Sequence, residues 1–298
     1  MLQLTLRSAC HTPATLVPPR TYAAVVPSQR PLGNITRGTT NPNRLRRCDR
    51  WLVATHRDRL TKGDAPHLVD LGHGASGVTT IEWADRVRPV RHDARVTGLE
   101  IDPERVASAQ AWARPGVDFA RGGFEVPLPD GRQARVVRAF NVLRQYDESE
   151  VEGPWRTMID RLDPLGILVE GTCDELGRLG SWVTLDAQGP QTLTLSWRLR
   201  DLDAWRLPSV VAERLPKALI HRNVPGEPVH DLMLLLDDAW RRATPFAPYG
   251  ARQQAVAAFA EVADQVAVIG GTSRWRVGEL TLPWATVAPR TGPLAHGW

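Results

Sequence analysis

The stretch His67-Leu-Val-Asp-Leu-Gly-His-Gly-Ala-Ser-Gly77 constrains this chain more than any other, because an apolar run passes into a glycine turn and then into helix-forming residues from Val78. Leu68, Val69 and Leu71 suit a buried parallel strand. Gly72, Gly74 and Gly77 let the backbone turn tightly and approach a ligand without Cβ clashes. A strand, a glycine turn and a helix in that order form one side of a nucleotide-cofactor pocket.

Two cofactor classes use such a turn. The literal spacing Gly72-x-Gly74-x-x-Gly77 fits a dinucleotide, whose pyrophosphate sits on the helix N-terminus. Asp70 discriminates between them: a carboxylate two residues before the first glycine repels a pyrophosphate and attracts the ammonium or sulfonium of S-adenosylmethionine. A second acid follows. Arg95 to Asp102 reads as a short strand that reaches Glu100, 23 residues beyond Gly77. That is close to the separation of roughly 20 residues at which an acid receives ribose hydroxyls. Pro103 and Glu104 open a helix for which Asp102 is an N-cap, so the ribose role goes to Glu100 first.

Asp70-Leu-Gly-His-Gly followed by Gly98-Leu-Glu-Ile-Asp102 resembles the class I S-adenosylmethionine-dependent methyltransferase family over residues 66 to 171. The resemblance implies a doubly wound, mostly parallel α/β sheet of Rossmann-like type, with an N-terminal helical extension and C-terminal α/β additions. It implies that Asp70, Gly72, Gly74, Ser76, Gly77 and Glu100 hold the cofactor. Val117-Asp-Phe-Ala-Arg-Gly-Gly-Phe-Glu125 resembles the third strand and its loop, where the family often has an acid and this chain has Gly123. Phe124, as a stacking surface, or Glu125 takes the adenine role instead. Arg135 to Tyr146 resembles the fourth strand, with Arg135 where an acid is common. It places Asn141 and Tyr146 at the reaction centre. An Asn at a strand end is also an ordinary turn residue.

Helical period places a helix over Ser149–Leu162, stopped by Asp163-Pro-Leu-Gly, and a fifth buried strand over Ile167–Gly171. Strands then alternate with helices, the pattern of a parallel sheet with the ligand at its carboxyl ends. Ser181–Asp186 and the run from Gln191 suggest a hairpin across Ala-Gln-Gly-Pro, residues 230–243 and 251–264 are helical by period, and Gly278 to Trp284 forms an edge strand interrupted by proline. We expect a poorly ordered extension over 1–38, a cofactor domain over 39–205 and a lobe over 206–298 that packs on the sheet.

With 298 residues and 42% hydrophobic content the chain can bury a substantial core, and no apolar run reaches the roughly 18 residues of a membrane span. Residues 1 to 30 lack the continuous apolar segment of a signal peptide, so a cytoplasmic location is the default. Cys10, Cys48 and Cys173, odd in number and far apart, argue against a disulfide framework or a zinc ribbon. Residues 1 to 60 carry ten arginines against Asp49 and Asp58. Thr40 to Trp51 reads as a capped helix with Pro42 early, Leu45, Cys48 and Leu52 on one side, and Arg46, Arg50 and Arg57 on another. Such a helix could bind RNA phosphates or lid the cofactor, although only two lysines, Lys62 and Lys217, accompany the many arginines, which favours a compositional origin. His221, Glu227 and His230 invite a metal reading that their proline- and glycine-rich turn disfavours. Eleven tryptophans are expected in the core.

The expected function is methyl transfer to an unidentified acceptor, with a small molecule favoured. A NAD-dependent oxidoreductase built on the same turn, and a non-catalytic S-adenosylmethionine-binding or RNA-binding module, remain as alternatives.

Overall fold

The computed structural model describes residues 30–203 and 206–298. Two short helices, α1 (Arg46–Thr55) and α2 (Arg57–Thr61), lead into β1 (His67–Leu71), α3 (Val78–Val87), β2 (Arg95–Glu100), α4 (Pro103–Ala109), β3 (Val117–Arg121) and β4 (Ala134–Phe140). After α5 (Glu152–Ile159) come β5 (Leu162–Cys173), β6 (Leu179–Asp186) and β7 (Gly189–Trp197). The chain ends with α6 (Lys217–Ile220), α7 (Pro228–Arg242), α8 (Ala251–Gln265), α9 (Thr272–Trp275) and β8 (Glu279–Pro283).

All eight strands share one sheet, in the order β3-β2-β1-β4-β5-β6-β7-β8. The strands from β3 to β5 pair in parallel, and β6, β7 and β8 extend the sheet antiparallel. Strand order reverses direction beside β1, between β2 and β4, and a crevice opens at such a switch point above the carboxyl ends of the strands. The central parallel strands β1 and β4 are buried along their whole length, and two charged residues they carry there, Asp70 and Arg138, pair with each other. One face packs Leu45, Trp51, Leu52 and Trp83 against Leu68, Val136 and Trp182. The other packs Trp155, Leu232, Leu236, Trp240 and Phe259 against Val137, Leu168 and Leu193. Six tryptophans, Trp51, Trp83, Trp155, Trp182, Trp197 and Trp240, are fully buried. No helix among the described residues is long and apolar enough to cross a membrane.

Several boundaries differ from the sequence reading. Asp163-Pro-Leu-Gly does not separate a helix from a strand but lies inside β5, where Ala134 pairs with Leu162 and Val136 with Ile167. A bulge there accommodates Pro164, which has no N–H to offer the ladder. Arg135, which replaces the expected acid, donates through Nε to Asp163 at 2.6 Å and through Nη1 to the Lys62 carbonyl at 2.8 Å, fastening that bulge. The arginine-rich helix starts at Arg46 and not at Pro42, with no side-chain cap. The hairpin, the two long carboxyl-terminal helices and the edge strand lie close to where period and turn residues put them. Most of the expected extension, residues 1–29, lies outside the described residues. Its end, residues 30–38, crosses the carboxyl ends of the parallel strands.

Candidate functional site

The turn after β1 is built by backbone that only glycine adopts readily. Gly72 and Gly74 have φ of 75° and 79°, and a Cβ on Gly74 would stand 2.7 Å from the Gly38 carbonyl oxygen. Gly77 has ordinary φ and caps α3. It is small because Phe119 and Trp112 press against it. Every N–H along the turn from 72 to 75 has a partner. Gly72 and His73 donate to the Leu99 carbonyl, Gly74 to Glu100 Oε2 at 3.0 Å, and Ala75 to the Gly38 carbonyl at 2.9 Å. Glu100 is 2% exposed, and its Oε1 accepts the Ile101 and Asp102 N–H groups. Asp102 caps α4, accepting from Glu104 N at 2.9 Å.

Asp70, expected to attract a sulfonium, spends its charge inside the fold. Its carboxylate accepts from Arg138 Nε at 3.1 Å and Nη2 at 2.8 Å, and from the Thr79 and Thr80 hydroxyls at 2.9 and 2.8 Å. All four acceptor positions of the carboxylate are taken, and Arg138 balances its charge. Arg138 also pairs with Asp49 of α1, lies 4.5 Å above the Trp83 ring and is fully buried, while Asp49 receives Arg86 at 2.9 Å. Burial would lower the Arg138 pKa, but the two carboxylates outweigh it and hold it above its usual range. Burial pushes Asp49 up to about 6 against the pull of Arg138 and Arg86. Asp70 is therefore a strut that fixes β1, β4, α1 and α3 under the turn. The carboxylate that reaches the turn itself is Glu100, seated on the Gly74 N–H with Arg105 Nη1 at 3.8 Å.

Residues 32–38 form a strap over the remaining parts of the expected nucleoside site. The Leu32 N–H donates to Glu125 Oε2 at 2.8 Å, and its carbonyl accepts from the Phe124 N–H at 2.9 Å. Gly33 lies in a slot: a Cβ there would stand 3.0 Å from Ile101 Cδ1, 3.1 Å from the Phe124 ring and 3.2 Å from the Tyr146 oxygen. The Asn34 N–H donates to the Tyr146 hydroxyl, and Arg105 Nη2 donates to the Thr36 carbonyl at 2.9 Å. Gly123, the departure from the family pattern, leaves room for the Leu32 backbone. Tyr146, expected at the reaction centre, instead anchors the strap and packs edge-on against Phe124 at 5.6 Å. Burial raises its pKa, tempered by the Asn34 N–H.

Beside the strap a cavity of about 540 Å³ opens, and it brings together Asp70, Gly72, Gly74 and Asn141 of the expected site. Ser76, Gly77, Glu100, Phe124 and Tyr146 lie outside its wall. Asn141 ends β4 with φ of 60°, a left-handed conformation that Asn tolerates. Its Oδ1 accepts the Cys173 N–H at 3.1 Å, and its Nδ2 faces Cys173 Sγ at 3.5 Å. Burial raises the Cys173 pKa. His73 is 2% exposed, packs edge-on against Phe119 at 5.3 Å and has neither ring nitrogen hydrogen-bonded. Burial lowers its pKa against the pull of Asp70 and Glu100.

Sequence reasoning missed Arg37, Arg44, Arg144 and Arg214, which converge on this cavity from three separate segments. Helix α1 turns Arg46 and Arg50 outward, and Arg57 at the start of α2 is likewise exposed. His221, Glu227 and His230 take separate partners: Lys217 at 2.9 Å, the Arg290 N–H at 2.8 Å and Asn223 at 3.2 Å.

The strand order, the glycine turn at the switch point and the buried acid that ends β2 define a Rossmann-like fold. No family model matches the chain, and no curated protein matches it. Solved structures similar to it include LepI in complex with SAM, 19% identical over 39% of this chain and 29% of that one, with a TM-score of 0.33. Magnesium protoporphyrin IX methyltransferase (ChlM) from Synechocystis PCC 6803 with bound SAH is 20% identical over 43% of this chain and 53% of that one, with a TM-score of 0.33. N-methyltransferase NodS from Bradyrhizobium japonicum WM9 is 17% identical over 43% and 67%, with a TM-score of 0.32. The chain thus spans under a third of the length of the first of these. These partial likenesses concern the fold and carry nothing about activity.

Proposed function

We propose that this chain binds S-adenosylmethionine above β1, β2 and β3 and transfers its methyl group to an acceptor in the adjoining cavity, with the strap yielding the nucleoside slot. One observation carries the reading. The Leu32 peptide presents a donor and an acceptor side by side to the Glu125 carboxylate and the Phe124 N–H, as the amino group and N1 of adenine do. Beside it Glu100 is fixed at the glycine turn, where an acid receives ribose hydroxyls.

When bound, S-adenosylmethionine supplies an already activated methyl group, so the protein has mainly to align the reactants and exclude water. Gly72 and Gly74 allow close approach of the backbone, and Ser76 and Gly77 set the start of α3. Asp70 stiffens the turn through Arg138, Thr79 and Thr80. Phe124 and Tyr146 wall the nucleoside slot, and Asn141 faces the acceptor cavity beside Gly72. The carboxylate on the Gly74 N–H disfavours a pyrophosphate there and so disfavours NAD.

Calorimetric titration with S-adenosylmethionine, S-adenosylhomocysteine and NAD tests this, with binding of the two adenosyl ligands and not NAD expected. Gly33→Val, which forces a side chain against Ile101 and Phe124 at φ of 123°, should loosen the strap and tighten S-adenosylhomocysteine binding about tenfold. Glu100→Gln should weaken it about tenfold or more. Failure of both adenosyl ligands to bind the Gly33→Val protein would make the strap a permanent part of the fold and the chain a non-catalytic module.

A further inference from the structure

We propose that the cavity beside the strap takes a small anionic acceptor, bearing a carboxylate or a phosphate, held by Arg44, Arg144 and Arg214. The inference rests on the methyl-transfer reading above and names the substrate class for it. Most buried or half-buried arginines in this fold have a carboxylate: Arg86 and Arg138 have Asp49, Arg135 has Asp163, Arg222 has Glu148 and Arg274 has Glu279. Arg44 and Arg214, half-buried on the cavity wall, do not, and the exposed Arg144 has no ion pair among the described residues either. Arg44 Nε donates to the Asp174 carbonyl at 3.2 Å and Arg144 Nη1 to the Glu213 carbonyl at 3.1 Å, both neutral acceptors. The Nε of Arg214 is buried without a partner. Burial lowers the Arg144 pKa, and repulsion from Arg214 and Arg37 adds to this while the Glu213 carboxylate pulls the other way.

Against these four positive groups, counting Arg37 on the strap, the wall offers Asp70, already matched by Arg138, and Glu175. S-adenosylmethionine brings one carboxylate together with two positive charges, so it does not remove the surplus. Guanidiniums from separate segments converging on one space recognise the planar or tetrahedral oxygens of carboxylates and phosphates. A cationic acceptor would have to enter against this positive charge, and a neutral one would leave it unmatched.

The test titrates full-length protein, with and without saturating S-adenosylhomocysteine, with citrate, inorganic phosphate and glycerol. Saturable binding of citrate or phosphate is expected, with none of glycerol, and whichever anion binds indicates the headgroup. Arg144→Gln and Arg214→Gln should each weaken anion binding about tenfold or more while leaving S-adenosylhomocysteine affinity within about twofold. Arg214→Lys should recover part of the loss, which separates lost charge from lost fold. Absence of saturable binding for both anions, or equal binding by the Gln variants, would overturn the inference and leave the methyl-transfer reading standing. Arginine-dependent anion binding without S-adenosylhomocysteine binding would keep the anion site and remove that reading. Preferential capture of an RNA oligonucleotide over both small anions, lost with Arg46 and Arg50 and retained in the Arg144 and Arg214 variants, would overturn it in favour of the outer helix.

Discussion

An Arg138→Met protein is expected to melt about 10 °C below the parent, a loss of roughly 3–5 kcal/mol. The side chain is fully buried and stands between Asp49 and Asp70, themselves 0% and 2% exposed. Methionine fills much of the volume but leaves two carboxylates facing each other in an apolar interior, and removing one partner of a buried ion network costs more than removing all of it. The triple variant Asp49→Asn, Asp70→Asn, Arg138→Met should therefore recover much of the loss. Thermal and urea melts of both variants decide the matter. A single variant within about 1 kcal/mol of the parent would mean that the carboxylates find water or other partners.

Glu170 is the second place where one substitution should have a large effect, here of opposite sign. It lies mid-strand in β5, 0% exposed, with neither oxygen hydrogen-bonded, and burial pushes its pKa up to about 8, with the Trp155 indole the one opposing influence. In the unfolded chain the carboxyl loses its proton near its usual 4.5, whereas in the fold it keeps it, so each pH unit between the two values favours unfolding by about 1.4 kcal/mol. His56 and His67 run the other way. Burial lowers each to about 4, so they add stability as pH rises from 4 to 6.5, and His73 acts in the same sense. Asp49, raised to about 6, acts like Glu170 but is finished by that pH. Stability should peak near pH 6.5 and fall by about 1.4 kcal/mol per unit toward pH 8. Glu170→Gln should abolish the fall and be the more stable protein at pH 8. Urea melts at pH 6.5 and 8 check this, and a parent protein that is flat across that interval would refute it.

The parts of the fold legible in sequence were those with a period or a fixed-offset motif. The glycine turn, the acid at Glu100, the Asp102 cap and the alternation of strand and helix each leave a local trace, because a buried strand, a positive φ or a helix start restricts the residues that can occupy it. The role of Asp70 was misread for a physical reason: its effective charge depends on Arg138, 68 residues away, which in sequence is one more arginine in an arginine-rich chain. The strap has no period at all, and its docking shows only in the pairing of Gly33 and Gly123 with distant neighbours. The bulge at Pro164 imitates a strand boundary, since proline signals both. Arg44, Arg144 and Arg214 come together only through the topology, and composition masks them.

Helix α1 is made early and secured late. Its Asp49 meets Arg138, 89 residues further on, its Trp51 stacks edge-on with Trp182 at 5.3 Å, and Arg47 donates to the Val277 carbonyl across 230 residues. Its apolar face, Leu45, Cys48, Trp51 and Leu52, shares a cluster with the nearby Leu68 and Trp83 and is completed by Val136, Ile167 and Trp182, far along the chain. Closure across such separations is slow compared with local folding. Among the described elements α1 thus leaves the ribosome first, and its full set of contacts exists only when the far edge of the sheet is in place.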